Sequence, residues 1–257
     1  GELAEVGARE RAAYSRTLTR PDFRELSSAP FDQVIGAGVF LGNPELERTT
    51  IENFDLRWEW FLSADELVSV GLFYKDLRDP IETVILGGST RTVTLENAPR
   101  GRNYGVEVEL RKRLGFLGRA LTPLFVGGNV SLIKSEVQLE SSGVATNKNR
   151  PLAGQSEFVV NASTGWDDPE SRTAITLLYN VSGERLVGVG TFGLPDIYEQ
   201  PFHRLDLVAS WGFAEHWSIK VSVENLLDSK VRFTQDDQTT EEYEVGRTFG
   251  LGLSGKF

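Results

Sequence analysis

The only imidazole side chains in this sequence belong to His203 and His216, and imidazole is the side chain that titrates nearest neutral pH. His203 has Asp196 and Glu199 nearby in the sequence, so an Asp/His hydrolytic site is one conceivable chemistry. Such a site needs carboxylates from several loops to converge on His203. No G-x-S-x-G segment marks a nucleophilic serine. We favour a non-catalytic loop histidine and expect no catalytic residues.

Two other segments have the composition of ligand sites. The stretch 188–193, GVGTFG, has the glycine spacing of a dinucleotide-binding turn, but Pro195 follows where a helix would have to begin. The stretch 236–244, DDQTTEEYE, offers carboxylates without the spacing of a calcium loop. Thiolate metal sites are excluded because the chain has no cysteine. We interpret the two segments as a flexible loop and a solvated acidic loop, and expect neither a cofactor nor a metal.

Composition narrows the class of protein further. The formal net charge is -10 and the pI is about 4.9, which argues against a nucleic-acid partner because phosphate binding needs clustered Lys and Arg. No apolar run approaches the roughly 18 residues of a membrane helix. The 257 residues contain no Met, so we expect a processed chain or a piece of a longer one.

Period-two alternation of apolar and polar residues recurs along almost the whole chain. In 54–60, apolar residues occupy the even positions and charged residues the odd ones, the pattern of a strand with one polar face. This alternation predicts an all-β fold of about ten strands, most of them longer than the usual five or six residues. They lie near 6–17, 48–61, 67–78, 100–114, 122–138, 154–166, 172–186, 201–213, 217–227 and 243–257.

The connections between these strands alternate between short turns and long segments, which is typical of an up-and-down outer-membrane barrel. The Trp residues lie beside the short turns, and most Tyr residues lie where strands meet the long segments. Two such groups predict the aromatic girdles of a transmembrane barrel. A soluble β-sandwich is the alternative, in which aromatic residues fall at strand ends by chance.

If the apolar face of each strand meets lipid, the charged face must line the lumen, since charge at the bilayer midplane costs about 2–4 kcal/mol. The residues predicted to face the lumen, and there a further protein element or solvent, are Glu59, Glu107, Glu109, Arg204, Asp206 and Lys220. Three Asn-x-Ser sequons occur at Asn129, Asn161 and Asn180. We interpret them as chance matches, because glycosylation requires exposed loops and the first two lie within predicted strands.

Several segments, taken in order, resemble the TonB-dependent outer-membrane transporters. Each segment is weakly specific, but their order and spacing together are more so. They are RAAYSRTLTRPDFREL (11–26), GNPELERTTIENFDLRWEWF (42–61), NYGVEVELRKRL (103–114), HRLDLVASWGFAEHWSIKVSVENLLDSKVRF (203–233) and GRTFGLGLSGKF (246–257).

This resemblance implies that residues 1–257 form the C-terminal part of a barrel of about 22 strands, without the plug domain and the earlier strands. It implies uptake of a scarce, bulky ligand: a siderophore, cobalamin or saccharide. The implied partners are outer-membrane lipid and lipopolysaccharide, the plug, the TonB complex acting through the missing N-terminal part, and the barrel-assembly machinery, for which Phe257 would be the signal. A complete small barrel with protease-like or adhesive function is the alternative.

Overall fold

The computed structural model describes residues 6–33, 38–86, 92–139 and 144–255. The strands of these residues are numbered β1 to β19 along the chain, and ten of them form one antiparallel sheet in chain order. These wall strands are β1 (Gly7–Thr19), β4 (Thr49–Ser63), β5 (Glu66–Arg78), β8 (Arg100–Arg113), β9 (Leu124–Gln138), β11 (Phe158–Asp168), β12 (Thr173–Ser182), β15 (Arg204–Ala214), β16 (Trp217–Glu224) and β19 (Thr248–Gly255). All ten predicted strands are confirmed, with ends shifted by a few residues.

The wall has one apolar face and one polar face, because successive side chains of a strand point to opposite sides. In β19, Phe249, Leu251 and Leu253 lie on the apolar face and are 74%, 77% and 65% exposed. Gly250 and Gly252 occupy the opposite face of the same strand. Most of the exposed large hydrophobic residues of the wall share this apolar face, an area far larger than soluble proteins leave open to water.

The short connections all lie at one end of the wall, which we call the short-turn end. Residues 64–65, 169–172 and 215–216 join neighbouring wall strands directly, and residues 114–123 do so through two single-turn 3-10 helices, Gly115–Leu117 and Arg119–Leu121. In the described part of the chain, no helix is long and apolar enough to cross a membrane.

The long connections lie at the opposite end, the long-connection end, and they contain strands that the sequence pattern did not predict. The first loop sheet, in spatial order, consists of β2 (Pro30–Gln33), β3 (Gly38–Leu41), β7 (Thr92–Asn97) and β6 (Ile81–Leu86). The second loop sheet consists of β13 (Arg185–Gly188), β14 (Ile197–Glu199), β17 (Lys230–Gln235) and β18 (Gln238–Glu244). The short β10 (Asn149–Arg150) pairs with the end of β9.

The hydrophobic clusters of the described residues lie at the long-connection end rather than in the wall. One cluster, around Val84 and Val137, joins β6 to β9. The second, which we call the loop core, is formed by Ile85, Val93 and Val189, with Phe40, Val144 and Ala145 packed against them. The long connections therefore form a packed unit, while the wall relies on backbone hydrogen bonds and on its surroundings.

Aromatic side chains of the apolar face form two bands, as the sequence predicted. The band near the long-connection end contains Tyr14, Phe54, Tyr74, Tyr104 and Tyr179. The half of the wall that carries the short turns contains Trp58, Trp60, Trp166, Trp211 and Trp217. Amphipathic aromatic rings favour membrane interfaces, so the distance between the bands marks an apolar belt.

Gly105 tests how closely the wall strands and the ring of Phe73 approach each other. A Cβ at Gly105 would lie 2.8 Å from Cζ of Phe73 and would collide with the carbonyl oxygen of Leu132. We expect Gly105→Ala to lower the free energy of unfolding by about 1–3 kcal/mol, measured by urea unfolding in lipid vesicles. The control is Gly71→Ala in the adjacent strand, where a Cβ would lie 3.8 Å from the nearest atom. Equal losses of unfolding free energy in the two variants would contradict the close packing inferred at Gly105.

Candidate functional site

The six charged residues predicted to face the lumen all lie on the polar face of the wall. Register shows this directly, because paired residues of antiparallel strands project to the same side. Glu59 shares a row with Ser69 and Glu109, and a second row holds Ser210 and Lys220. The six are Glu59, Glu107, Glu109, Arg204, Asp206 and Lys220.

A chain of alternating charges crosses the polar face from β1 to β8. Arg57 contacts Glu59 at 2.9 Å and Glu109 at 2.7 Å. Arg11 adds a contact of 3.2 Å to Glu59, and Arg111 one of 3.1 Å to Glu109. Two of the three predicted lumen glutamates, Glu59 and Glu109, are therefore paired with arginines of the wall itself. The alternation placed Arg57 on the polar face with Glu59, but the set of predicted lumen residues did not include it.

Glu107 and Lys220 differ from the other predicted residues because both are exposed and neither forms an ion pair within the described ranges. Among the described residues, the Glu107 carboxylate accepts one hydrogen bond, a long one of 3.5 Å from the hydroxyl of Ser131. Free charges on the polar face are the groups available to an incoming partner. Of the six predicted residues, these two fit that role best.

Arg204 and Asp206 instead hold the end of the β15–β16 hairpin. Arg204 contacts Asp206 and Glu224, each at 2.8 Å. Asp206 also accepts a hydrogen bond of 2.9 Å from the backbone N–H of Asn225. Asn225 has a φ of 53°, and its side-chain amide donates to the carbonyls of Ser229 and Gly246. Hydrogen bonds thus fix the turn formed by the N-L-L-D segment (225–228). Arg204 contributes by holding the Asp206 carboxylate, which accepts one of these hydrogen bonds.

Asn129, Asn161 and Asn180 form a ladder of side-chain amides on the polar face. Asn180 donates to Asn161 at 2.6 Å, and Asn161 donates to Asn129 at 2.8 Å. All three lie within wall strands and pair in register. The sequons therefore have a structural function that the motif did not suggest, namely to link three strands across the lumen side.

A cavity of about 510 Å³ lies at the long-connection end, between the polar face and the first loop sheet. Wall residues such as Thr49 and Leu77 form one side, and residues 80–83 and 152–155 form the other. Its charged lining residues are Arg20, Glu25 and Glu82. We call it the mouth cavity, because it opens where the lumen meets the long connections.

A buried ion pair lies beside the mouth cavity, on the side formed by residues 80–83. Arg150 and Glu82 have side chains only 1% and 4% exposed, with 3.1 Å between Nη2 and Oε2. The same Nη2 donates to the carbonyl of Thr83 at 2.7 Å. Burial raises the pKa of Glu82, and the attraction of Arg150 only partly offsets this effect. Among the described residues, Nε and Nη1 of Arg150 have no hydrogen-bond partner.

The structure also places the remaining motifs. His203 contacts the Tyr179 hydroxyl through Nδ1 at 2.7 Å, and within the described ranges no carboxylate contacts its ring. Gly188 ends β13, and Gly190 donates to Asp196 at 2.7 Å. No helix follows there.

The acidic loop prediction was wrong, because residues 238–244 form β18 and pair with β17. Lys230 contacts Glu242 at 3.4 Å and Glu244 at 3.0 Å, which raises the lysine pKa. In the described part of the chain, no cluster of His, Asp and Glu could hold a metal ion. Phe257 lies outside the described residues, so its role stays a prediction.

An antiparallel wall in chain order, an exposed apolar face with two aromatic bands, a polar opposite face and short turns at one end define an outer-membrane β-barrel wall. The family described as "TonB dependent receptor-like, beta-barrel" matches residues 8–226. The chain therefore belongs to this family of receptors and transporters, and its location is the bacterial outer membrane. The long-connection end is the external end, as in other barrels of this membrane.

Similar proteins of known identity are longer than this chain. Iron-regulated outer membrane virulence proteins of two Vibrio cholerae O1 strains are 24% identical over 248 residues, which is 96% of this chain and 37% of theirs. The chain thus spans little more than a third of the length of these relatives.

Solved structures of receptors from this family share the fold. A variant of the ferric enterobactin receptor of Pseudomonas aeruginosa superimposes with a TM-score of 0.67 at 16% identity, over 99% of this chain and 39% of the receptor. The ferric yersiniabactin uptake receptor of Yersinia pestis gives 0.62 at 18% identity, over 99% and 36%. The ten-stranded wall therefore corresponds to part of a larger barrel, as the sequence predicted.

Arg57 offers a test of the charge chain on the polar face. Arg57→Ala leaves Glu59 and Glu109 close together without the cation between them, so we expect the free energy of unfolding to fall by about 1–3 kcal/mol. Lys220→Ala is the control, since it removes one exposed cation from the same face without breaking an ion pair of the described wall. Urea unfolding of both variants in vesicles measures the difference. A loss as large for Lys220→Ala would argue against the network.

The buried pair behind the mouth cavity predicts an asymmetric result. Glu82→Leu leaves a buried guanidinium that cannot lose its proton, at a cost of about 3–5 kcal/mol. Arg150→Met leaves a carboxyl that can become neutral, so its cost is smaller, about 1–3 kcal/mol. Amide hydrogen exchange of β6 and β10 measures both local effects. The loss of free energy in the double variant should be smaller than the sum of the losses in the two single variants. Losses that simply add would contradict the ion pair.

Proposed function

We propose that this chain is the C-terminal barrel portion of a TonB-dependent transporter that takes up a ferric siderophore. The sequence left siderophores, cobalamin and saccharides open as ligands. The iron-regulated relatives of Vibrio cholerae and the ferric siderophore receptors among the similar structures favour the first of these classes. The proposal concerns the intact protein, of which this wall is the membrane-anchored part.

The observation that carries this proposal is the mouth cavity. Its volume, about 510 Å³, falls within the range of roughly 300–1,000 Å³ typical of small-molecule sites. It lies at the long-connection end, where a ligand would arrive, and the polar face of the wall forms one of its sides. A ligand held there would already lie at the entrance of the transport path.

Arg20 is the residue of the mouth cavity best suited to an anionic chelate. It is exposed and forms no ion pair with the described residues. The two carboxylates of the cavity are both engaged. Glu25 accepts a hydrogen bond from the backbone N–H of Asp22 at 2.8 Å, and Glu82 pairs with Arg150. The backbone hydrogen bond leaves the charge of Glu25 in place, so it is the guanidinium of Arg20 that would bind a negatively charged group, through paired hydrogen bonds.

The polar face would then contact the plug domain, and of the six predicted residues Glu107 and Lys220 are the two that form no ion pair with the described residues. Work for transport would come from the energising complex of the inner membrane, acting through the plug. Within this scheme the wall needs no reacting side chain, because it binds, guides and anchors rather than converting its ligand. The assembly function of Phe257 belongs to the same proposal.

The test is uptake of iron-55 by whole cells supplied with single purified siderophores. Deletion of the full-length gene should abolish uptake of at least one ferric siderophore. Arg20→Gln should raise the concentration for half-maximal uptake about tenfold, the loss expected for one charge-assisted hydrogen bond. Arg119→Gln, at the opposite end of the wall, is the matched control and should behave as wild type.

Two outcomes would contradict the proposal. One is unchanged uptake of every ferric siderophore in the deletion strain while uptake of cobalamin or of a saccharide is lost. The other is equal behaviour of the Arg20 and Arg119 variants, which would move the ligand site away from the mouth cavity.

A further inference from the structure

A tight turn after β1 brings two charged residues to the mouth cavity, Arg20 and Glu25. Backbone hydrogen bonds from Glu25 and Leu26 to the carbonyl of Asp22, of 3.0 and 3.2 Å, close the turn. The Glu25 carboxylate accepts a further one, of 2.8 Å, from the backbone N–H of Asp22. We call residues 20–27 the mouth turn. These hydrogen bonds fix its shape, but they do not attach it to its neighbours.

The backbone of the mouth turn packs directly against the chain that follows β3. A Cβ at Gly42 would lie 2.7, 2.6 and 2.5 Å from the carbonyl oxygens of Arg24, Glu25 and Ser27. The next residue, Asn43, donates its backbone N–H to the Glu25 carbonyl at 2.6 Å. Glycine at position 42 therefore allows the two segments to meet at backbone distance. This contact is the first attachment of the mouth turn.

Arg24 provides a second attachment through its side chain. Its guanidinium carbon lies 5.3 Å from the ring centroid of Phe31 and 5.4 Å from that of Phe40. The two rings are opposite each other in the register of β2 and β3, so they project to the same side of the first loop sheet. Within the described ranges, the Arg24 side chain forms no ion pair and no hydrogen bond. The two aromatic rings are the partners of this cation.

A guanidinium is the cation best suited to two adjacent rings. It is flat and weakly hydrated, and the face of an aromatic ring attracts it. The acid next to Arg24 in the sequence does not compete, because the Glu25 carboxylate is engaged with the N–H of Asp22. A lysine would keep the charge, but its ammonium is a compact, strongly hydrated group that cannot lie flat across both rings.

Phe40 connects this attachment to the interior of the long connections. It packs against the loop core, which takes its other side chains from three further connections. Direct contacts thus lead from the mouth turn through Arg24 and Phe40 to the loop core. β3 also pairs with β7, which contributes Leu95 to the lining of the mouth cavity. The mouth turn is therefore fixed relative to the opposite side of the cavity.

From these contacts we infer that Arg24 is a positioning residue for ligand capture, because it holds the turn that carries Arg20 at the mouth cavity. Arg24 itself is not among the residues that line this cavity. The inference rests on the function proposed above, in which Arg20 binds the anionic group of the ligand. A binding group that is held in place beforehand loses less freedom on association. Arg24 therefore acts on the affinity for the ligand and not on the transport step.

The first experiment needs no siderophore. A nitroxide spin label at position 20 (Arg20→Cys) of the full-length protein reports the mobility of the mouth turn, and these 257 residues contain no cysteine that would compete for the label. Arg24→Gln should raise the ratio of mobile to immobile label about fivefold, the shift expected for loss of an exposed cation–π contact. Arg24→Lys should give an intermediate ratio. Arg9→Gln is the matched control: it removes a cation–π contact of 5.3 Å with Phe61 near the short-turn end, and the ratio should not change.

The second experiment separates positioning from direct contact between Arg24 and an anionic ligand. Whole cells receive purified triscatecholate or trishydroxamate siderophores, each supplied alone as its iron-55 complex. Phe31→Leu removes one ring and keeps every charge. Positioning predicts that Phe31→Leu and Arg24→Gln both raise the concentration for half-maximal uptake and leave the maximal rate unchanged. The double variant should be no worse than Arg24→Gln, because both substitutions break the same contact.

Heat-modifiable gel migration shows that every variant is folded before either measurement. The inference fails if the label at position 20 is equally mobile before and after Arg24→Gln. It also fails if Phe31→Leu leaves the half-maximal concentration unchanged, or if the losses of the two single variants add in full. A deletion strain that still takes up every ferric siderophore would instead overturn the proposed function, and the spin-label measurement would still decide how Arg24 acts on the mouth turn.

Discussion

In the hydrocarbon of a bilayer, a backbone N–H or C=O group finds no water, so it must be bonded within the protein. The wall meets this requirement with long, regular pairings. β1 and β4 stay in register from Gly7 opposite Phe61 to Thr19 opposite Thr49 without interruption. Register shifts between wall strands occur only next to the short turns, near Ser63 and near Ala214. Irregular pairing between wall strands thus lies near the membrane interface, where water can bond to backbone groups that the strands leave unpaired.

The same constraint explains why the wall has no hydrophobic interior of its own. One face is covered by lipid, so the strands must be held on the other by polar contacts. Arg57 links carboxylates of β4 and β8, and the asparagine ladder continues cross-strand hydrogen bonding from β9 to β12. Charged and amide side chains on the lumen side thus stabilise relative strand positions, a function that packing has in a soluble domain.

Period two in the sequence predicted the wall well, because lipid on one face demands an apolar residue at every second position. It did not predict the loop sheets, whose strands pair over long sequence distances, β3 with β7 and β14 with β17. The polar face was also predictable, since Glu59 and Glu107 follow directly from alternation. The sequence did not predict which charges of the polar face form no ion pair. Glu109 of β8 contacts Arg57 of β4 only because both strands pair in register with a third strand, β5, which lies between them.

The loop core draws side chains from four different connections: Phe40 from the first, Ile85 and Val93 from the second, Val144 and Ala145 from the third, and Val189 from the fourth. β3 and β7 are also joined by direct pairing. If one of these connections were exchanged alone, its new side chains would face unchanged side chains from the other three, and the loop core would no longer pack. The four connections therefore have to change together. A new ligand preference requires either small changes in the residues that line the mouth cavity or replacement of all four connections at once.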